Sequence, residues 1–265
     1  MGERLAVPDL RQFKRRGEKI ACLTCYDASF ARVLEAAGVE ILLVGDSLGV
    51  VIQGHATTVP VRLADMVYHT RWVSRATEKA LVIADLPFAT YTDRRRALIS
   101  AARLVQAGGA QMIKLEGGRG RVEVVQALVA EGIPVCGHLG LLPQSIYRLG
   151  RYRVQGRQPQ EAQKLLEDAC LLEQAGVELL VLECVPADLA AAITAEVAVP
   201  TIGIGAGPAC DGQVLVLYDL LGLTPKPARF VQDFLIGKNS IQAAVAEYVA
   251  AVKEGRFPTE QHAYF

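Results

Sequence analysis

The carboxylates best placed to take part in a reaction stand where short, mostly apolar runs of the sequence end. Asp46 follows ILLVG, Asp85 follows LVIA, and Glu116 follows MIKL. Three carboxylates in one partly dehydrated cleft would repel one another unless a cation lay between them. Oxygen ligands favour a hard divalent ion, and magnesium suits a few carboxylates completed by water and substrate oxygens. The three acids are therefore predicted to bind Mg²⁺, whereas each one taken alone could simply cap a helix.

Three further side chains could carry the chemistry beside these acids. Lys114 lies two positions before Glu116, so both point to the same face of a strand. Its cation could hold a carboxylate or enolate oxygen, form a Schiff base, or make a structural salt bridge. His138 could shuttle a proton or serve as a structural histidine. Glu183 follows the apolar run LLVL, where either a general base or a helix cap is expected.

Short apolar runs alternate with amphipathic stretches along the whole chain, which predicts a parallel sheet with crossover helices. The unit of Ala-Gly, apolar strand and acidic residue recurs in EAAGVEILLVGD, QAGGAQMIKLEG and EQAGVELLVLEC. Eight runs favour a single (β/α)8 TIM-type barrel over residues 1–265, with an N-terminal helical extension and a C-terminal helix, although a doubly wound sheet fits the local pattern too. The predicted strands are Ile20–Cys25, Ile41–Val44, Leu81–Ala84, Met112–Leu115, Val135–His138, Leu179–Leu182, Thr201–Ile204 and Val214–Tyr218.

The intervening amphipathic stretches predict helices, and several of them end at a glycine that can take the left-handed cap conformation. In a parallel β/α fold the carboxyl ends of the strands converge on the ligand. The predicted helices include Ala28–Ala37, Arg94–Ala107, Arg121–Ala130, Glu161–Ala175, Asp188–Glu196 and Ile241–Lys253. The side chains expected to share one mouth are Asp46, Ser47, Asp85, Lys114, Glu116, His138 and Glu183.

Two other motifs have weaker chemical implications. The GIGAG sequence at Gly203–Gly207 offers backbone amides to an anion, or lets the chain turn sharply. Cys22 and Cys25 form a CxxC, but a zinc site would need a second ligand pair at comparable spacing. Both thiols are therefore expected to be small buried side chains.

Composition narrows the class of partner. The 265 residues contain 28 basic and 28 acidic side chains, so the formal net charge is zero and no basic surplus indicates nucleic-acid binding. The charged start lacks the apolar core of a signal peptide, and no run reaches membrane-spanning length. We expect a cytoplasmic location and small-molecule partners.

Seven segments of the sequence cover most of the chain and are highly specific in combination. They are TCYDASFARVLEAAGVEILLVGDSLG, TTVPVRLADMVYHTRWV, ADLPFATY, IKLEGG, GHLGLLPQS, LLVLECVP and TIGIGAGPACDGQVLVLYDLLGL. Together they resemble one family, the ketopantoate hydroxymethyltransferases, which are folate-dependent enzymes of pantothenate synthesis.

The resemblance implies transfer of a one-carbon unit from 5,10-methylenetetrahydrofolate to 3-methyl-2-oxobutanoate, giving 2-dehydropantoate. It implies a large homo-oligomer, a decamer built as a pentamer of dimers. It also implies that Glu183 accepts the proton, and His138 could assist the new hydroxyl or the leaving pterin. Carried over residue by residue, the magnesium positions are Asp46, Asp85 and Glu116, and the residues facing the ketoacid are Asp46, Ser47, Asp85 and Lys114.

Two alternatives remain open at the level of sequence. A related magnesium barrel, such as an aldolase or a lyase of the phosphoenolpyruvate mutase type, would use the same acids on a 2-oxo acid without folate. A non-catalytic scaffold barrel would keep the fold alone. Lys114, Glu116 and Glu183 disfavour the scaffold, because it has no need for so many charges in one mouth.

Overall fold

The computed structural model describes residues 4–265 and confirms the predicted barrel. Eight parallel strands follow one another in chain order, and the first pairs with the last to close the sheet. The strands are β1 Ile20–Thr24, β2 Ile41–Val44, β3 Leu81–Asp85, β4 Met112–Glu116, β5 Val135–Gly140, β6 Leu179–Glu183, β7 Thr201–Ile204 and β8 Gly212–Leu215.

The helices surround the barrel and bury both faces of nearly every strand, which explains why the strands read as continuous apolar runs. A short π-helical segment, Leu104–Gly108, continues the fifth helix. The helices are α1 Val7–Arg16, α2 Ala28–Ala36, α3 Leu48–Val51, α4 Leu63–Arg75, α5 Arg94–Arg103, α6 Val122–Ala130, α7 Ile146–Leu149, α8 Pro159–Ala175, α9 Ala187–Glu196, α10 Leu217–Leu220 and α11 Ile241–Lys253.

Helix α1 packs at the amino ends of the last strands, opposite the mouth that carries the predicted site. Leu10 is fully buried, and Lys14 Nζ donates to the carbonyl oxygens of Thr194 (2.7 Å) and Val199 (3.1 Å). Lys14 Nζ also lies 3.1 Å from a carboxylate oxygen of Asp211, which directly precedes β8. The contacts of α1 therefore stabilise the barrel without entering the site.

The predicted range of the eighth strand is wrong. β8 ends at Leu215, and Leu217–Leu220 forms α10 in place of strand. The backbone amide of Leu217 donates to Thr24 Oγ1 (2.9 Å), which holds the first residue of α10 against the end of β1. The strand also starts two residues earlier than predicted, at Gly212. The apolar pattern does not indicate this start, because Gly212 has no apolar side chain.

Helix α4 is not among the predicted helices. Its sequence, LADMVYHTRWVSR, contains β-branched and aromatic residues that weaken helical propensity. Tertiary packing outweighs that propensity, since Met66, Thr70 and Val73 are fully buried. Within the described part of the chain, no helix has the length and apolar character needed to cross a membrane.

Candidate active site

The register of the central strands assembles most of the predicted site. Asp85 on β3 is the Cα partner of Lys114 on β4, and Glu116 on β4 is the partner of His138 on β5. Glu183 ends β6 beside Gly140 of β5. Carboxyl ends of neighbouring parallel strands thus bring together side chains that are far apart in sequence.

A buried ion pair lies at the heart of this mouth. Lys114 Nζ donates to Asp85 Oδ1 at 2.5 Å, and the second oxygen, Oδ2, accepts from the backbone amide of Asp46 at 3.0 Å. Burial by itself would lower the pKa of Lys114, but Asp85, Asp46 and Glu116 together raise it above its ordinary value. Lys114 therefore carries a positive charge in a position almost closed to water.

Asp46 and Glu116 complete the acidic centre. Burial first, and then the charge of Asp85, raise the pKa of Asp46 to about 7. Burial and then Asp46 raise the pKa of Glu116 well above its usual value. Asp46 Oδ1 and Glu116 Oε1 accept no hydrogen bond from residues 4–265, since Gln144 contacts only the other oxygen of each carboxylate. Both free oxygens could ligate a cation.

Gln144 and Tyr91 belong to the centre, although sequence reasoning missed them. Gln144 Nε2 donates to Asp46 Oδ2 (2.8 Å) and to the carbonyl of Leu86 (2.9 Å), while its backbone amide donates to Glu116 Oε2 (3.1 Å). Tyr91 donates its hydroxyl proton to Gln144 Oε1 at 2.5 Å. Gln144 stands in the segment GHLGLLPQS and Tyr91 in ADLPFATY, and the resemblance of these segments to the family is the sequence feature that could have indicated both residues.

His138 lies between two of the acids. Its Nε2 is 3.1 Å from Glu183 Oε2, and its Nδ1 is 3.9 Å from Glu116 Oε1. Neither ring nitrogen is aligned for a hydrogen bond with a group of residues 4–265. Burial, and next the charge of Lys114, lower the pKa of His138, which favours the neutral imidazole at neutral pH.

The backbone around Glu183 is tightly constrained. Cys184 has a φ of 48°, in the left-handed region that non-glycine residues seldom adopt. Gly140 has a φ of 93°, and a Cβ there would overlap the carbonyl oxygen of Glu183. That same oxygen accepts from the amide of Leu141 at 2.8 Å. This close approach of β5 and β6 fixes the backbone position of Glu183, and with it the point from which the side chain extends.

Ser47 also lies at the mouth, whereas the GIGAG loop makes tight packing contacts. Ser47 Oγ shares a hydrogen bond with the Tyr26 hydroxyl at 2.8 Å. In the loop, Gly205 and Gly207 both have positive φ values. A Cβ on Gly207 would lie 2.7 Å from the Cβ of Ala187, so glycine is needed here for the turn and for close packing.

A cavity of about 1100 Å³ opens beside the acidic centre. Glu116, Gln144 and Tyr91 line it, together with residues that follow β3, β4 and β5. Within the described ranges, no three His, Cys, Asp or Glu side chains form a group that could hold a metal ion by themselves. An ion at this centre would need oxygens from water or bound substrate in addition to protein ligands.

The closed barrel and its charged strand ends define this protein as a β/α-barrel enzyme. The family model of ketopantoate hydroxymethyltransferase matches residues 4–260, and the chain belongs to that family. A relative from Thiobacillus denitrificans, 3-methyl-2-oxobutanoate hydroxymethyltransferase, is 60% identical over 98% of this chain and 99% of its own length. A relative of the same name from Methylococcus capsulatus is 56% identical over 100% of this chain and 98% of its own.

Solved structures share the fold at much lower identity. Phosphoenolpyruvate phosphomutase from Streptomyces platensis subsp. rosaceus is 12% identical, with a TM-score of 0.62 over 82% of this chain and 83% of its own. Oxaloacetate acetylhydrolase, solved with its product oxalate, is 15% identical, with a TM-score of 0.60 over 96% of this chain and 99% of its own. These likenesses support the architecture alone.

Proposed function

We propose that this chain transfers the methylene carbon of 5,10-methylenetetrahydrofolate to carbon three of 3-methyl-2-oxobutanoate, while water supplies the hydroxyl oxygen, giving 2-dehydropantoate and tetrahydrofolate. The net result is the transfer of a hydroxymethyl group. The observation that carries the proposal is the buried centre in which Lys114 sits among three carboxylates, next to the Glu183 and His138 pair. The names of the full-length relatives support the same reaction. Membership in their family favours this transfer over the mutase-type lyase, whose likeness extends only to the fold.

Asp46, Asp85 and Glu116 would hold Mg²⁺, directly or through water. Their chemistry fits a hard cation, because burial and neighbouring carboxylates raise the pKa of Asp46 and Glu116, and one oxygen of each of these two accepts no hydrogen bond from residues 4–265. A bound ion would withdraw electrons from the ketoacid oxygens and acidify the hydrogen on the branched carbon beside the keto group.

The chain's own residues would then handle the ketoacid and its proton. Asp46, Ser47 and Asp85 would face the ketoacid, and the Ser47 hydroxyl is already oriented by Tyr26. Glu183 would remove the proton from carbon three, at a position fixed by the tight turn that follows it. Lys114 would stabilise the negative charge that develops on the keto oxygen, since its ammonium is held in place beforehand.

His138 would assist the last proton transfer. Its imidazole is neutral by burial and stands 3.1 Å from the carboxylate of Glu183. A neutral imidazole can accept a proton and pass it on, so His138 would serve the new hydroxyl or the leaving pterin.

The family resemblance also leads us to propose a cytoplasmic homo-oligomer, a decamer formed as a pentamer of dimers. Exposed apolar side chains on the outer helices support association. Tyr68 is 59% exposed and Trp72 is 38% exposed, and the centroids of their rings lie 6.1 Å apart in an edge-to-face arrangement. Light scattering on the purified protein tests the mass, and a monomer at micromolar concentration would contradict this part of the proposal.

The reaction is tested by mixing the enzyme with 3-methyl-2-oxobutanoate, Mg²⁺ and methylenetetrahydrofolate and following 2-dehydropantoate by mass spectrometry. We expect product only when all three are present. A 2-oxo acid lacking the branch at carbon three is the matched control substrate. Cleavage or rearrangement of the ketoacid without folate would contradict the transferase and favour the lyase.

A further inference from the structure

The cavity beside the acidic centre is much larger than the ketoacid requires. Its volume of about 1100 Å³ lies just above the range of most small-molecule sites, roughly 300–1,000 Å³. A five-carbon ketoacid held at the carboxylates would leave most of this space for a second, longer molecule. The cavity reaches the centre through Glu116 and Gln144, so that second molecule would approach the reacting carbon from this side.

Burial shows which end of the cavity is deep. Glu116 is 5% exposed and Gln144 is 6% exposed, so they form the floor. Arg148, Arg153 and Lys164 line the same cavity and are exposed, so they form its rim. We call these three side chains the basic rim.

The cations of the basic rim form no ion pair with a carboxylate of the described residues. Glu161 and Asp168 line the same cavity, but neither lies within 4.0 Å of a cationic nitrogen of the rim. Arg119, another lining residue, shows the contrast, because its guanidinium pairs with Glu167 at 3.0 Å. Unpaired cations at the opening would attract a ligand that carries negative charge on its outer end.

Apolar surface lies in the wall of the same cavity. Phe88 lines the cavity and is 47% exposed, and Leu142, Leu149 and Leu165 are also in the lining. A flat aromatic ring of a ligand can stack on such a side chain, with the ligand's polar groups left free for other partners. The cavity therefore offers an acidic floor, an apolar wall and a basic rim.

We propose that the basic rim binds the glutamate carboxylates of the folate cosubstrate, while the apolar wall receives its ring portion. The inference rests on the proposed hydroxymethyl transfer and names the subsite that this reaction needs. The direction of the folate follows from the arrangement of the cavity, in which the acidic floor lies at the deep end and the basic rim at the opening. The methylene carbon must reach the ketoacid at the floor, so the glutamate tail at the other end of the folate extends toward Arg148, Arg153 and Lys164.

The test compares methylenetetrahydrofolate carrying one glutamate with the form carrying three. Wild-type enzyme is expected to show a lower KM for the triglutamate, and added potassium chloride is expected to shrink the difference by screening. Arg148→Ala, Arg153→Ala and Lys164→Ala are each expected to raise the triglutamate KM about threefold, and the triple variant about tenfold or more, with kcat unchanged. Arg151→Ala is the matched control, since Arg151 is exposed in the same segment but does not line the cavity.

Folate-free exchange of the hydrogen at carbon three of the ketoacid serves as the reference, because it does not use the rim. Normal exchange in the triple variant shows that the variant is folded and that the acidic centre works. An unchanged triglutamate KM in that variant, or an equal rise in Arg151→Ala, would overturn the subsite while leaving the proposed reaction in place. Absence of both exchange and product in the wild type would overturn the reaction and the subsite together.

Discussion

Lys114 shows how the centre depends on balance among single side chains. A buried ammonium is unstable alone, but three carboxylates raise the pKa of Lys114, while burial and the neighbouring carboxylates raise the pKa of Asp46 and Glu116. One cation among three acids leaves a negative excess. A divalent ion would offset that excess, and for this reason the proposed mechanism combines Mg²⁺ with Lys114.

Glu183→Gln isolates the proposed base. Glutamine keeps the size of the side chain but cannot accept the proton from carbon three, so we expect hydroxymethyl transfer to fall by about 10²–10⁴-fold. The KM for the ketoacid should change little, because Glu183 is not among the residues proposed to bind it. Initial rates of 2-dehydropantoate formation measure both quantities. Transfer within a few-fold of wild type would remove Glu183 as the base.

Gln144→Ala tests the residue that joins two acids. Loss of the side-chain amide removes the donor to Asp46 Oδ2, and comparable losses of groups that orient metal ligands weaken metal affinity or activity about 10–100-fold. We expect the Mg²⁺ concentration for half-maximal rate to rise by such a factor. Tyr91→Phe, which removes only the donor to Gln144 Oε1, should show a smaller rise in the same titration. Unchanged magnesium dependence in Gln144→Ala would contradict this role.

The sequence predicts the charged residues of the site better than the neutral ones. Asp85, Lys114 and Glu116 end apolar strands, and convergence of strand ends places them together. Gln144 and Tyr91 lie in loops beyond their strands, where no periodicity indicates direction. Their role depends on hydrogen bonds between loops, which only the folded chain reveals.

At the scale of elements, the first and last strands approach each other most tightly at Gly212, the first of the four β8 residues that pair with β1. Gly212 pairs with Ile20, and a Cβ at Gly212 would overlap the carbonyl oxygen of Ile20 and lie 2.6 Å from Ile202 Cδ1. The Ile20 oxygen belongs to the backbone of β1, so it cannot move without disturbing strand pairing. Glycine is required here for space, because its backbone φ is not in the left-handed region.

Gly212→Ala should therefore destabilise the barrel by about 1–3 kcal/mol, the usual range for overpacking. Gly120→Ala is the matched control, since nothing lies within 4 Å of a Cβ at that position and its φ is not positive. Urea unfolding of both variants measures the free energy of unfolding. Equal stability of the two would contradict the importance of this contact for closure.

The apolar pattern of the sequence predicts seven strands well, but it does not indicate the start of β8 or helix α4. Seven strands were predicted within about two residues of their observed bounds because their apolar runs are continuous. β8 begins with Gly212 and Gln213, whose side chains lack the apolar signal, and its true position follows from pairing with β1. The sequence does not single out helix α4 because its β-branched and aromatic residues weaken the helical signal, although Met66, Thr70 and Val73 recur at helical spacing on its buried face.

At the scale of the molecule, ligands that bind the folded barrel should stabilise it. Mg²⁺ and 3-methyl-2-oxobutanoate together should raise Tm more than either alone, since each completes the other's coordination. Saturation at a hundred times Kd contributes about 2.7 kcal/mol, equivalent to a rise of roughly 5–10 °C for a domain of this size. Differential scanning calorimetry measures the shift, with potassium chloride at equal ionic strength as the control. Asp85→Asn should lose most of the joint effect, and an undiminished joint effect would remove Asp85 from the ion's ligands.

The whole arrangement acts to make carbon three of the ketoacid a nucleophile before any folate arrives. Incubation of the wild-type enzyme with 3-methyl-2-oxobutanoate and Mg²⁺ in heavy water, followed by proton NMR, observes that step directly. We predict enzyme-dependent loss of the carbon-three proton signal that stops when the metal is chelated. Retention of that signal with every divalent metal tried, in a sample that is folded and binds the ketoacid, would contradict the proposed chemistry.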